Sequence, residues 1–121
     1  FNDLEFKENK IKTNISETAL DKNNIFLYHK TTRREWYASG DEIFFNFEGE
    51  LCESSRFNIF LEIGGRMFTP PIKCGLLPGI LRDDFIKQGK CKEKILYLED
   101  LKKADKIYFG NSVRGLIEVF L

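Results

Sequence analysis

Short aromatic-rich and branched stretches dominate the middle and the end of the chain, and they predict β-strands. A Gly64-Gly65 pair separates two of these stretches and predicts a hairpin turn. Pro70-Pro71 ends the pairing, because proline has no amide hydrogen to donate. The predicted strands are residues 25–28, 42–47, a strand that resumes at Leu51 after a turn at residues 48–50, and residues 57–63, 66–69, 93–97, 106–109 and 116–121, with one or two short strands within residues 3–15.

Helical signals are fewer. Pro78-Gly79 precedes residues 80–88, and Gly89 follows them, which predicts a helix over this segment. Residues 98–104 predict a second helix, whose acidic start and basic end complement the helix dipole. A short third helix is predicted after Thr32. Together the elements predict one α/β (α+β) domain over residues 1–121, with a curved, mostly antiparallel sheet and two or three helices.

Composition narrows the class of protein. The chain has 121 residues, of which 42% are hydrophobic and 14% aromatic, as is typical of one globular domain. The 19 basic and 19 acidic residues balance, so charge indicates neither nucleic acid nor an anionic membrane as a partner. We see no run of about 18 apolar residues and no leader pattern in this sequence, and we therefore predict a cytoplasmic protein.

Cysteine and histidine usage argues against a metal or disulfide framework. The three cysteines, Cys52, Cys74 and Cys91, are odd in number and lack a Cys-x-x-Cys spacing. With one histidine, His29, the chain has little from which to build a zinc site or a Ser-His-Asp triad. We predict three reduced thiols and no metal site.

Two positions suggest chemistry from the residues alone. Lys30 follows a short apolar run, so it lies where a predicted strand ends and can project into a cleft. From the residues alone a solvated lysine in a capped turn is the more usual interpretation, because most lysines are solvated. The amides after Pro78 begin a helix and form a ready phosphate site, although an ordinary helix start also fits. Glu53 lies among apolar residues, so its carboxylate must face outward or be paired.

Four blocks in a fixed order carry a family resemblance that runs from about Phe26 to the end of the chain. The chain resembles the C-terminal half of the fold-type IV pyridoxal-phosphate enzymes, which include 4-amino-4-deoxychorismate lyase, branched-chain aminotransferase and D-amino acid aminotransferase. The first and last blocks look most similar to the lyases. The blocks are residues 28–37, which contain His29-Lys30-Thr31-Thr32-Arg33-Arg34, then residues 50–60, Leu77-Pro78-Gly79-Ile80-Leu81-Arg82, and residues 110–115, which contain Asn111-Ser112-Val113-Arg114-Gly115.

The resemblance implies a binding site for pyridoxal 5'-phosphate. Lys30 is expected to attach the cofactor's aldehyde and to act as the general base. Glu53 is expected to pair with the pyridine nitrogen, and Asn58 keeps the family's spacing of five residues after it. The phosphate is expected to bind to the amides of Gly79, Ile80 and Leu81 and to Ser112. Arg34 and Arg114 are candidates for substrate binding.

The resemblance also implies a reaction and partners. The lyase removes pyruvate from aminodeoxychorismate and leaves 4-aminobenzoate for folate synthesis. Family members carry an N-terminal domain that this chain lacks, so we expect an excised domain of a longer protein, which in some bacteria is a synthase–lyase fusion, and a homodimer. Two alternatives stay open. One is a branched-chain or D-amino acid aminotransferase, and the other is a non-catalytic α/β interaction domain in which Lys30 is solvated.

Overall fold

The structure is a computed structural model that describes residues 10–17, 19 and 42–121. In this part of the chain, six strands form one sheet in the order β1-β6-β5-β2-β3-β4. β5 pairs antiparallel with β2 and β6, and β2 pairs antiparallel with β3, whereas the short outer strands β1 and β4 run parallel to their neighbours. The strands are β1 Ile11–Lys12, β2 Asn58–Ile63, β3 Arg66–Thr69, β4 Lys92–Glu93, β5 Lys106–Asn111 and β6 Gly115–Phe120. The mostly antiparallel mixed sheet confirms the predicted fold class.

Two α-helices and one short 3-10 helix accompany the sheet in the described residues. Helix α1 spans Ile80–Lys87, helix α2 spans Leu98–Lys103, and the 3-10 helix spans Ile72–Cys74. Gly89, which follows α1, has a φ of 75°, a value that glycine adopts without the steric cost other residues meet. Both α-helices lie where the sequence predicted them, and the third predicted helix, after Thr32, lies outside the described residues.

Three predicted strands differ from the structure, and the strand predicted at residues 25–28 lies outside the described residues. The strand expected from Leu51 onward is present only as isolated bridges at Leu51 and Glu53. Residues 42–47 form isolated bridges, from Ile43 to Ile15 and from Phe45 to Leu51, and not a continuous strand. Only Lys92–Glu93 of the predicted strand 93–97 pairs as a strand, although Leu96 accepts a backbone hydrogen bond from Leu51. The backbone hydrogen bonds of residues 42–47 and 93–97 go to several different partners, so no regular ladder forms.

The main hydrophobic core packs against the central strands. Strand β2 is buried along its first four residues, and it lies between β5 and β3. The buried members of this core are Ile43, Leu51, Phe57, Ile59, Leu61, Leu96, Leu101, Ile107, Phe109 and Val119. Because β2 begins at Asn58, the rigid centre of the sheet leads directly into the loops that form the site described below.

Two features are absent from the residues that the structure describes. No helix in this part of the chain is both long enough and apolar enough to cross a membrane. The same residues hold no group of three or more His, Cys, Asp or Glu side chains arranged to bind a metal ion. The cysteines Cys52, Cys74 and Cys91 are buried and are not joined by a disulfide.

Candidate functional site

A cleft of about 350 Å³ opens at the start of β2. Three segments form it: the loop before β2, the residues that lead into α1, and the turn between β5 and β6. The lining residues are Glu53, Arg56, Phe57, Asn58, Leu77, Pro78, Gly79, Ile80, Asn111 and Ser112. Five residues singled out from the sequence, Glu53, Asn58, Gly79, Ile80 and Ser112, therefore meet at one cleft.

Glu53 and Asn58 stand at the two ends of a short hairpin. They face each other in an isolated antiparallel bridge, and the amide of Ser54 donates a hydrogen bond to the carbonyl of Phe57 at 3.0 Å inside it. Glu53 is only 2% exposed, so an unpaired carboxylate here would be costly. Its Oε1 accepts a hydrogen bond from the amide of Leu77 at 3.2 Å, which confirms that this carboxylate is paired.

The same hairpin holds Leu77 by both backbone groups. While Glu53 accepts from the Leu77 amide, Asn58 Nδ2 donates to the Leu77 carbonyl at 3.0 Å. Leu77 immediately precedes Pro78-Gly79 and α1. The two polar side chains therefore fix the approach of the chain to the helix, and this is a structural role that the five-residue spacing alone does not reveal.

Gly79 fits this approach because it has no side chain. A Cβ atom on Gly79 would lie 2.3 Å from Oδ1 of Asn58, well inside van der Waals contact. Its φ of −66° and ψ of 152° are accessible to any residue, so the requirement for glycine comes from packing and not from backbone strain. The close approach places the first turn of α1 directly beside Asn58.

The N-terminus of α1 is the anion-attracting edge of the cleft. The first amides of an α-helix have no intrahelical acceptor and carry the positive end of the helix dipole. Ile80 is 68% exposed and lines the cleft, while Leu81 is half-buried beside Gly110 and contributes to this turn without lining the cleft. Backbone amides at such a helix start can bind a phosphate group.

A buried arginine anchors this helix. Arg82 is 1% exposed and donates hydrogen bonds to the Pro70 carbonyl and to Asp83 Oδ1, each at 3.1 Å. It also forms an ion pair with Glu93 on β4, while its Nε has no partner among the described residues. The contacts hold the first turn of α1 against the β3–β4 edge of the sheet. Sequence reasoning placed Arg82 in a motif but assigned it no role.

The turn between β5 and β6 brings Ser112 to the cleft. Asn111 Oδ1 accepts hydrogen bonds from the amides of Val113 and Arg114, at 3.1 and 2.7 Å, which shapes the turn. Asn111 Nδ2 donates to the carbonyl of Arg56 at 3.1 Å, which joins the turn to the loop before β2. Ser112 thus lines the same cleft as Ile80, whereas Arg114 is exposed and is not among the lining residues.

The remaining sequence-predicted site residues, Lys30 and Arg34, lie outside the described residues, so their distance from the cleft stays a prediction. The structure adds residues that sequence reasoning missed, chiefly Arg56 and Asn111. Arg56 is the positively charged member of the described lining, and Glu53 is the negatively charged one. No sequence signal distinguishes Arg56 from other surface arginines, because its position depends on how the hairpin packs.

Comparison with known proteins places this arrangement in a family. A Thermotoga maritima protein provisionally named a branched-chain-amino-acid aminotransferase is 32% identical over 92 residues, which cover 72% of this chain and 34% of that protein. A solved structure from Mesorhizobium loti, provisionally named an amino-acid aminotransferase, superposes with a TM-score of 0.86 at 37% identity, covering 93% of this chain and 60% of the other.

A third relative carries the name of a different enzyme. A structure from Legionella pneumophila, provisionally named a 4-amino-4-deoxychorismate lyase, has a TM-score of 0.75 at 28% identity, covering 91% of this chain and 47% of the other. The chain thus spans about a third of the T. maritima relative and about half of the L. pneumophila structure. The family model described as amino-transferase class IV matches residues 3–120. The chain belongs to the class IV aminotransferase family.

Proposed function

We propose that this chain is the C-terminal, cofactor-binding domain of a pyridoxal-phosphate-dependent 4-amino-4-deoxychorismate lyase. Members of the class IV family are enzymes that use pyridoxal phosphate. The observation that carries the proposal is the cleft itself, because a buried carboxylate, Glu53, and the open N-terminus of α1 both border it. A cofactor with a basic ring nitrogen and a phosphate needs these two kinds of partner in one cleft.

The described residues fit such a cofactor in their chemistry. Glu53 offers a carboxylate that is shielded from water and so has a strong electrostatic effect on a ring nitrogen. Gly79 lacks the Cβ that would press against Asn58, and Ile80 begins the turn whose amides can bind a phosphate. Ser112 adds a hydroxyl from the opposite loop of the cleft.

Each residue then has a defined task. When bound, pyridoxal phosphate supplies the electron sink for the reaction. In the proposal, Glu53 keeps a proton on the ring nitrogen and Asn58 holds the helix approach in place. The amides of Ile80 and Leu81 bind the phosphate together with Ser112, whereas the Gly79 amide, which the sequence predicted to join them, donates to the Leu77 carbonyl at 3.0 Å. Lys30 Nζ would hold the cofactor at its aldehyde carbon and, once released as a free amine, would take the proton from the amine-bearing ring carbon of the substrate.

The lyase activity is proposed on the loop motifs that carry the resemblance, His29-Lys30-Thr31-Thr32 and Asn111-Ser112-Val113-Arg114-Gly115, and the L. pneumophila structure supports it. In this reaction pyruvate leaves and the ring becomes aromatic, giving 4-aminobenzoate. The second candidate is a branched-chain aminotransferase, which the T. maritima relative favours. The two reactions use the same attachment lysine and the same ring-nitrogen partner, and differ in what the substrate pocket selects.

We further propose that residues from outside this chain complete the pocket. The chain spans about a third of the T. maritima relative, and we propose that an N-terminal domain accounts for part of the remaining length. The exposed Ile80 beside the cleft is consistent with a covering surface, supplied by that domain or by the second subunit of a homodimer. Substrate-binding contributions from Arg34 and Arg114 belong to the same proposal.

Trapping the cofactor tests the binding proposal. The purified protein is incubated with pyridoxal phosphate and reduced with borohydride, and the modified peptide is identified by mass spectrometry. We expect modification at Lys30, and Lys30→Ala should lose it while keeping its circular dichroism spectrum. Modification scattered over exposed lysines, equally in wild type and Lys30→Ala, would support the alternative of a non-catalytic interaction domain.

Product analysis then separates the two reactions. With aminodeoxychorismate as substrate, the lyase releases 4-aminobenzoate and pyruvate in equal amounts. With leucine and 2-oxoglutarate, the aminotransferase forms glutamate. The proposal expects the first activity in the protein that carries this chain, and it is wrong if the amino-group transfer is the faster reaction.

A further inference from the structure

We infer that Arg56 binds an oxyanion in the cleft, either a carboxylate of the substrate or the phosphate of the cofactor, and this inference rests on the proposed function. Arg56 lies in the loop between Glu53 and Asn58 and lines the cleft. It is the residue that brings positive charge to the described lining, beside the positive end of α1. The charge of Arg56 and the positive end of α1 both favour an anionic group in the cleft.

The backbone of Arg56 is fixed from two sides. Its loop is closed by the Glu53–Asn58 bridge and by the hydrogen bond from the Ser54 amide to the Phe57 carbonyl. The Arg56 carbonyl accepts a hydrogen bond from Asn111 Nδ2 at 3.1 Å. The loop that carries the arginine is thus tied to the turn that carries Ser112.

The side chain of Arg56 is also supported. Its guanidinium carbon lies 5.5 Å from the centroid of the Phe57 ring, within the range of a cation–π contact. Phe57 is buried and stacks on Phe109, with ring centroids 5.6 Å apart and an interplanar angle of 21°. A packed aromatic pair therefore backs the guanidinium at the cleft, which reduces the conformational entropy that Arg56 loses when a ligand binds.

The chemistry of a supported guanidinium selects its ligand. Contact of the group with an aromatic ring is compatible with donation from its N–H groups to two oxygens of one carboxylate or phosphate. The products of the proposed reaction, pyruvate and 4-aminobenzoate, each carry a carboxylate, and the cofactor carries a phosphate. Both are oxyanions, so the same contact serves either source and experiment must separate them.

Paired ligands that differ by one anionic group provide the test. Calorimetric titrations compare 4-aminobenzoate with aniline, and pyridoxal phosphate with pyridoxal, on wild type, Arg56→Gln and Arg56→Lys. We expect Arg56→Gln to weaken the binding of the anionic ligand in one pair by about tenfold or more, which is the usual scale of a charged hydrogen bond. The affinity for the neutral ligand of that pair should stay within about twofold of the wild-type value. Arg56→Lys should recover part of the loss. A loss confined to 4-aminobenzoate identifies the substrate carboxylate, and one confined to pyridoxal phosphate identifies the cofactor phosphate.

Arg66→Gln is the matched control, because it removes the same charge from an exposed residue on β3. Arg66 pairs with Ile63 at the far end of β2, which lies roughly 16 Å along that strand from Asn58. The inference is overturned if Arg56→Gln lowers the affinity for the anionic and the neutral ligands equally, or if it lowers neither. It is also overturned if Arg66→Gln lowers the affinity for the anionic ligand as much as Arg56→Gln does. Circular dichroism confirms that each variant is folded.

If the proposed function is wrong, the binding measurements give a different result. In that case the wild-type protein takes up neither pyridoxal phosphate nor pyridoxal at Lys30. Titration with inorganic phosphate and with 4-aminobenzoate against aniline then still decides the role of Arg56, since a wild type that binds no anion overturns it.

Discussion

The contact between Gly79 and Asn58 predicts a specific loss of stability. In Gly79→Ala, the new Cβ would lie 2.3 Å from Asn58 Oδ1, so the asparagine side chain must move. That side chain is 6% exposed and donates to the Leu77 carbonyl, and displacement breaks this hydrogen bond. Overpacking and a lost buried hydrogen bond cost about 1–3 kcal/mol, while replacing glycine at an accessible φ returns about 0.4–1 kcal/mol. We expect a net destabilisation of about 1–2 kcal/mol.

A double-mutant cycle isolates the contact. In an Asn58→Ala background the new methyl group meets no amide oxygen, so Gly79→Ala should then be neutral or slightly stabilising. We expect a coupling energy of about 1–2 kcal/mol from urea unfolding curves followed by circular dichroism, with the m-value unchanged. Gly89→Ala is the control for a contact-independent cost of adding a methyl group. At a φ of 75° alanine is strained, but its Cβ would meet nothing within 4 Å, so its cost should not depend on the Asn58 side chain. Equal costs of Gly79→Ala in both backgrounds would refute the reasoning.

Three further predictions follow from the buried charged and titratable groups. Arg82→Met should lower the free energy of unfolding by roughly 2–3 kcal/mol in chemical denaturation, because it leaves the Pro70 carbonyl without this donor, and an unchanged midpoint would contradict the anchoring role. Burial raises the pKa of the Cys91 thiol from 9.0 to about 11, with Arg82 opposing the rise and Glu93 adding to it. The unfolded chain therefore releases this proton first as pH rises, so stability should fall between about pH 9 and pH 11, and the decline should be smaller in Cys91→Ala. Glu53→Gln should keep the fold, since its amide oxygen still accepts from Leu77, but should lower turnover on the order of a hundredfold, whereas unchanged turnover would remove Glu53 from the proposed mechanism.

Local signals explain which parts of the fold the sequence predicts. The start of α1 follows from Pro78-Gly79 and its end from Gly89, because these residues act through their own backbone preferences. Residues 93–97 contain the apolar run Ile95-Leu96-Tyr97, but only Glu93, at the end of β4, pairs as part of a strand. That outcome depends on which neighbours lie alongside, and a single sequence does not contain this information.

The candidate site also combines features that the sequence predicts with features that depend on tertiary packing. The sequence names Glu53 and Asn58 by their spacing, yet their joint hold on Leu77 arises only when the segment before α1 packs over the hairpin. Arg82 is a clearer example of a residue whose environment the sequence does not predict. An arginine in the first turn of a helix is normally solvated, and its burial here follows from acceptors on β4 and at Pro70 that are distant in sequence.

A crystal structure of the protein with bound pyridoxal phosphate is the most direct test of the account. We predict that the ring nitrogen lies within hydrogen-bonding distance of the Glu53 carboxylate, that the phosphate accepts from the amides of Ile80 and Leu81 and from Ser112, and that the aldehyde carbon is joined to Lys30. A cofactor bound elsewhere, or one whose phosphate lies away from the start of α1, would contradict the assignment of this cleft as the cofactor site.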